Sequence, residues 1–340
     1  MEQVSQIVSP HSINVVTVGG GTGLSTVLFG LKRYVRTPAS ELSISKLSAI
    51  VAVTDDGGSS GRLRTELNML PPGDVRNCMV ALSEDSLLLS RLFQYRFVGN
   101  GELNGHNFGN IFLAALSEMT GDFAEAVRLS SGILASKGHI YPATNANVHL
   151  VAELDDGSVV QGETKISQGG ERITRVRLDP LNCVPMPEAI SAVQSADIIT
   201  IGPGSLYTSL LPPLLVSGLA DAIGKTKAVK IFINNLMTQP GETNGLTAAD
   251  HLRVLQQYVP NISFGFVILN NQHITAEQRR RYLIEGSQQI GLYELESISR
   301  ACDANVVYAN LLVGGEKVRH DPKRLADTIL SCANFARQSD

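Results

Sequence analysis

Apolar residues fall along this chain in two rhythms. Short continuous runs, rich in β-branched residues, end on glycine or a polar cluster and give way to stretches with helical spacing. Ile13–Val18, Leu47–Val53, Asp197–Ile201, Val229–Asn234, Ser263–Leu269 and Val306–Leu312 are runs of the first kind. They are too short for buried helices, and an unbroken apolar run suits a parallel strand covered on both faces. Helical spacing predicts a helix over Ser25–Tyr34, with Leu24, Leu28, Leu31 and Tyr34 along one side. It predicts others over Ser86–Phe97, Phe123–Leu134, Pro187–Ser195, Ala248–Gln257 and Pro322–Phe335, one within Asn104–Leu116, and one in Leu70–Leu82 that follows a proline turn with its start marked by Gly73 and Asp74. Strand alternating with helix predicts an α/β fold: a Rossmann-like, mostly parallel sheet with helices on both faces.

The rhythm changes once. Val148–Leu154 and Val159–Lys165 alternate around an Asp155-Asp156-Gly157 turn, and Ile173–Leu178 adds a further strand. This predicts a small antiparallel β insertion around residues 146–180. Residues 1–12 read as a loose tail, and 13–340 as a single domain carrying that insertion.

Composition narrows the classes. With 340 residues, 43% apolar and 18% charged, the chain can bury a large core and is not globally disordered. A net charge of −4, from 28 basic and 32 acidic residues, gives no basic excess for nucleic acid. The four cysteines, Cys78, Cys183, Cys302 and Cys332, form no CxxC pair. Neither a zinc site nor a disulfide framework is expected, and a reducing cytoplasm fits. The N-terminal residues lack the pattern of a signal peptide, and no membrane span is expected. A homo-oligomer is compatible with this class, although no apolar stripe demands one.

Chemistry gathers where strands end. After Ile13–Val18, Gly19, Gly20, Gly21 and Gly23 let the backbone turn sharply into a helix, the arrangement that offers free N–H groups and a positive helix end to an anion. Gly20, Gly21, Thr22 and Gly23 are therefore candidate phosphate contacts. The dinucleotide fingerprint G-x-G-x-x-G fails, because its third glycine falls on Leu24 or Thr26. A Walker loop fails as well, since Leu219 stands where the sequence before Gly224-Lys225-Thr226 needs glycine.

At the end of Leu47–Val53, TDDGGSSGRLR places Asp55, Asp56 and Ser59 where open α/β sheets bind ligands. The two aspartates can orient a substrate hydroxyl or hold Mg²⁺. The alternative is a helix cap with a turn, although one cap does not need so long a polar run. Arg62 and Arg64 are either solvated or clamp a phosphate. Arg76 and Asn77 open a helix toward the same region, and His106, Asn107 and Asn110 precede or open another. A lone histidine is usually a structural hydrogen-bonder, and the polar HNFGN cluster makes ligand contact an equal reading. Gly204 and Ser205 form a second glycine turn after Asp197–Ile201, and Asn234 ends the next strand. Tyr282 can stack on a base and Arg319 can meet a diphosphate, or both can be structural. Asp155 and Asp156 sit in a hairpin turn and are assigned no chemistry.

The motifs GGGTGLS, VTDDGGSSGRLR, LPPGDVRNC, HNFGN, IGPGSLYTSLLP, NNLMTQPGET and RHD, in this order, resemble those of the bacterial gluconeogenesis factors, relatives of the archaeal-type 2-phospho-L-lactate transferases. The resemblance spans nearly the whole chain beyond the tail. It implies a Rossmann-like fold binding nucleotide sugars such as UDP-sugars, and a cytoplasmic protein supporting cell shape and cell-wall synthesis during gluconeogenic growth, with cell-wall synthesis proteins as partners. The transferase relatives instead move phospholactate from a guanylylated donor onto a deazaflavin with Mg²⁺, which would make Asp55 or Asp56 catalytic. Between a regulatory binding protein and a transferase, the DDGGSSGRLR and MTQPGET stretches look closer to the former. A Rossmann oxidoreductase is the third reading, and the broken dinucleotide fingerprint argues against it.

Overall fold

The computed structural model of the protein describes residues 11–37, 42–84 and 87–339. Most of the expected tail lies outside these residues, as do 38–41 of the connection before the second expected strand and Ser86 of an expected helix. Ten strands are described: β1 (His11–Gly19), β2 (Leu42–Val51), β3 (His139–Pro142), β4 (His149–Leu154), β5 (Val159–Gln161), β6 (Ile173–Asp179), β7 (Ile198–Ile201), β8 (Val229–Ile233), β9 (Phe266–Asn270) and β10 (Asn305–Ala309).

Seven of them form one parallel sheet in the order β10-β9-β8-β7-β1-β2-β3. β1 runs through its middle, with Val15 against Leu47 of β2 on one side and Ile198 of β7 on the other. Helices surround the sheet, so Val15, Val16 and Val18 of β1 and all four residues of β7 are buried. That double cover is why the strands read as unbroken apolar runs rather than as alternation. From β1 the chain steps outward to β2 and β3, then returns to β7 and steps outward the other way to β10. The order thus reverses between β1 and β7, and in open α/β sheets the crevice at the carboxyl ends of such a pair is the binding place.

β5, β4 and β6 make the expected antiparallel insertion between β3 and β7. Its second arm is shorter than the alternation suggested. β5 stops at Gln161, and Glu163–Gln168 is helical instead of extended. The reason is a contact from far away in sequence: Asp56 Oδ1 accepts the Thr164 backbone N–H at 2.8 Å and its hydroxyl at 2.6 Å, anchoring the first turn of that helix. Other boundaries also differ. His11 and Ser12, read as tail, open β1. β2 begins at Leu42, in the stretch read as a connection. The polar TDDGGSSGRLR stretch is a loop only as far as Gly57, and Gly58–Leu67 is helical.

Candidate functional site

The two glycine turns at the ends of β1 and β7 meet. Helix Gly21–Leu31 follows β1 directly, with Gly21 at φ +62°, a conformation that costs a side-chain-bearing residue about 1 kcal/mol or more. A methyl group on Gly23 would sit 2.1 Å from the Pro203 carbonyl oxygen, so the two turns pack backbone to backbone. Asn235, just beyond β8, locks the second turn in place. Its Oδ1 accepts the Gly204 N–H at 2.9 Å and its Nδ2 donates to the Gly204 carbonyl at 2.8 Å. Gln239 Nε2 donates to Ser205 Oγ.

Between the turns lies a cavity of about 480 Å³, lined by Gly20, Gly21, Thr22, Gly23, Gly204, Ser205, Asn235, Gln239, Glu163, Arg319 and His320 among others. Thr22 and Gly23 belong to the helix turn whose N–H groups have no acceptor within the helix. Arg319 brings a guanidinium to the same cavity. One ring nitrogen of His320 (Nε2) is buried without a partner, and burial lowers its pKa to about 4, with a hydrogen bond to the Asn234 backbone opposing.

Carboxylates gather beside the first glycine turn. Asp74 receives the Gly21 N–H, and a methyl on Gly20 would come within 2.7 Å of its Oδ2. Burial pushes its carboxyl up to about 7, with the negative field of Asp55 adding to the rise. Asp55 Oδ1 accepts the Gly57 N–H at 2.9 Å, while its Oδ2 lies 2.5 Å from where a methyl on Gly73 would stand. Glu163 is raised well above the usual carboxylate range by burial first, and then by Asp74, Asp55, Glu242 and Asp56. Among the described residues, no three His, Cys, Asp or Glu side chains converge as a metal cage. Asp56 faces the insertion through Thr164.

Other expected contacts are brought together elsewhere. Ser59 Oγ accepts the Asn107 N–H and Asn110 Nδ2, both at 3.2 Å. Its own proton is then left for His106 Nδ1, 3.1 Å away. Burial lowers the His106 pKa, in keeping with a neutral ring. Ser59, His106, Asn107 and Asn110 thus form one buried knot joining helix Gly58–Leu67 to helix Phe108–Thr120, and none of them lines the cavity between the glycine turns. Arg62 and Arg64 bind chain carbonyls: Asn104 and Glu102 for the first, Val148 for the second. Arg76, Asn77 and Asn107 line a neighbouring cavity. Asn234 is buried, and its successor Asn235 reaches the cleft. Tyr282 is not in the lining; its hydroxyl accepts the Val318 N–H at 3.0 Å and so holds the segment bearing Arg319.

Asp74, Glu163, Asn235, Gln239 and His320 are site residues that sequence reasoning missed. A signal for Asp74 and His320 does exist, in LPPGDVRNC and RHD. In the first the aspartate doubles as a marker of a helix start, and in the second Arg319 is the more obvious partner for an anion. Glu163 carries no local signal, because only the fold of the insertion delivers it.

A family model described as 2-phospho-L-lactate transferase CofD matches residues 15–312. A protein of Aquifex aeolicus named putative gluconeogenesis factor is 45% identical over 94% of this chain and 96% of its own length. The gluconeogenesis factor of Bacillus subtilis is 43% identical over 93% of this chain and 96% of its own. A crystal structure of a upf0052 family member from Bacillus halodurans superposes with a TM-score of 0.87 at 41% identity, covering 94% of this chain and 99% of that one. The turns that meet at the sheet's point of reversal therefore belong to a shared architecture, and the chain is a member of the gluconeogenesis factor family within the wider CofD family.

Proposed function

We propose that the cleft between the β1 and β7 turns binds a nucleotide sugar of the UDP-sugar type, and that the protein is a ligand-binding regulator of cell shape and cell-wall synthesis during gluconeogenic growth. The observation that carries the ligand class is the pairing of two glycine turns from adjacent strands with one arginine. Backbone N–H groups at a helix start and a guanidinium are both well suited to phosphate oxygens. The cavity also falls within the size range of small-molecule sites. In this reading Gly20, Gly21, Thr22, Gly23 and Arg319 contact diphosphate or ribose, Gly204 and Ser205 wall the space they occupy, and Tyr282 holds the Arg319 segment. Calorimetric titration with UDP-N-acetylglucosamine tests it. Arg319→Ala is expected to weaken binding about tenfold or more, the loss of one charge-assisted contact, while leaving the melting temperature unchanged. A wild-type protein that binds no UDP-sugar would end this reading.

The carboxylates beside the Gly20–Gly21 turn favour a second reading, a transferase moving a phospholactyl group onto a deazaflavin acceptor. A carboxyl raised to about 7, such as that of Asp74, is suited to exchange a proton near neutrality. With no three-carboxylate cage among the described residues, Mg²⁺ would share its shell with ligand phosphates and water, and in this reading Asp55 would hold it. Bound there, it would offset the charge of a donor diphosphate. Asp55→Asn should abolish transfer and spare donor binding. The absence of transfer by the wild type with the genuine guanylylated donor would remove this alternative.

A further inference from the structure

Beside the cleft lies a second chamber of about 590 Å³, bounded by helices Gly21–Leu31, Gly73–Leu82 and Leu87–Gln94. Ser25 and Thr26 line both spaces, so the two adjoin along the same helix. The charges in its wall are of one sign. Lys32, Arg76 and Arg96 line it, and among the described residues no carboxylate does.

Arg76 is the informative side chain. Its Nη2 donates to Asn77 Oδ1 at 2.8 Å, a neutral partner, while its Nε is buried with none. Burial disfavours its charge and Arg96 disfavours it further, with Asp74 and Asp55 opposing from the cleft side. Arg96 also spends a donor on a neutral group, the Gly105 carbonyl. Two guanidiniums thus feel each other's field across a cavity whose remaining lining is neutral amides, hydroxyls and the apolar faces of Phe29 and Val80, apart from Lys32. A buried unpaired guanidinium donor costs free energy until an acceptor arrives, and an anion satisfies both the donor and the repulsion. The planar fork of arginine suits carboxylate and phosphate oxygens in particular.

We propose that this chamber seats a carboxylate or phosphate group, carried either at the far end of the ligand in the cleft or on a separate small metabolite bound beside it. The first source rests on the nucleotide-sugar reading; the second does not.

Calorimetry on the full chain separates them. In the first arm, UDP-glucose is compared with UDP-glucuronate, which differs by one carboxylate. If the anion belongs to the same ligand, UDP-glucuronate should bind about tenfold tighter, and R96Q and R76Q should each erase most of that preference. In the second arm, 3-phosphoglycerate and inorganic phosphate are titrated with and without saturating UDP-glucose. If the anion is separate, one of them should bind, and R96Q should weaken it about fivefold or more. Arg96 is an exposed residue, so its variant remains informative even if R76Q fails to fold. Failure of both UDP-sugars with retained, Arg96-dependent anion binding would sink the proposed function and leave the chamber standing. No carboxylate preference together with no anion binding, or effects that both substitutions leave intact, would overturn the chamber itself.

Discussion

The two glycine turns look alike in the sequence and do different work in the fold. The turn after β1 runs straight into an α-helix, and its first N–H groups lie at the cleft or on Asp74. The turn after β7 runs into a π-helical segment, Leu206–Leu210, whose N–H groups are claimed within the chain: Tyr207 and Thr208 donate to the Glu242 carboxylate, and Ser209 and Leu210 to the Ser205 carbonyl. Its Gly204 is bonded on both backbone atoms by Asn235. The first turn therefore offers donors to a ligand, and the second is a fixed wall that shapes the space. A glycine-rich stretch after a strand marks close approach; whether its N–H donors are left over depends on which side chains, here Glu242 and Asn235, claim them.

Substitutions at the two turns should differ most. A Cβ at Gly23 meets backbone, the Pro203 carbonyl, which cannot step aside, whereas a Cβ at Gly204 first meets Leu210 and Ser209 side chains at 3.0 and 3.3 Å. Gly23→Ala should cost about 3 kcal/mol in urea unfolding and Gly204→Ala about 1 kcal/mol. Equal costs would mean that the turns do not press together backbone to backbone.

Next comes pH. Asp74 beside the first turn and His320, bonded to the Asn234 backbone across the cleft, titrate with opposite sign. The folded-state pKa of Asp74 is raised from 3.8 to about 7, so its contribution to stability is complete below 3.8 and is lost as pH rises through 7. That of His320 is lowered from 6.5 to about 4, so its contribution is complete above 6.5 and is lost as pH falls through 4. Asp74→Asn should make the protein more stable than wild type at pH 8, by on the order of 2 kcal/mol after allowing for screening, and should lose that advantage near pH 4. His320→Gln should flatten the acid side instead. Parallel pH profiles for wild type and Asp74→Asn would show that this carboxyl is not held protonated by its surroundings. As small an effect as that of Gly204→Ala is expected for Asn235→Ala, which frees both Gly204 backbone atoms to water and should cost about 1 kcal/mol of stability, while loosening ligand binding measurably in the same titrations.

Much of the fold was legible because burial on both faces writes itself into local sequence. β1, β2, β7, β8 and β9 are all apolar runs, half-buried β10 at the edge reads the same way, and a glycine turn after β1 and β7 placed the cleft at their ends. β3 escapes such reading because its four residues, His139–Pro142, sit at the sheet edge and include a proline and an exposed histidine. Glu163–Gln168 misleads because Val159–Lys165 alternates, and the anchor that turns it helical, Asp56, lies 108 residues away. The site divides in the same manner. The backbone contacts at Gly20–Gly23 and Gly204–Ser205 come from local turns, whereas the fates of Asp56 and Ser59 depend on which distant hydrogen bonds claim them. Asn234 and Asn235 differ by one step along the chain, and no pattern in their neighbours tells which of the two reaches the cavity.

The bond from Asp56 to Thr164 makes the cleft a joint product of the opening β–α units and the inserted hairpin. Helix Glu163–Gln168 leans on the loop after β2 and contributes Glu163 to the cavity wall. A fragment ending after β3 would keep the first glycine turn, yet it would leave the Asp56 carboxylate without its dock and one side of the cleft missing. The opening half of this fold is thus no portable module: deleting the hairpin to make a minimal binder would dismantle the very hollow it was meant to isolate.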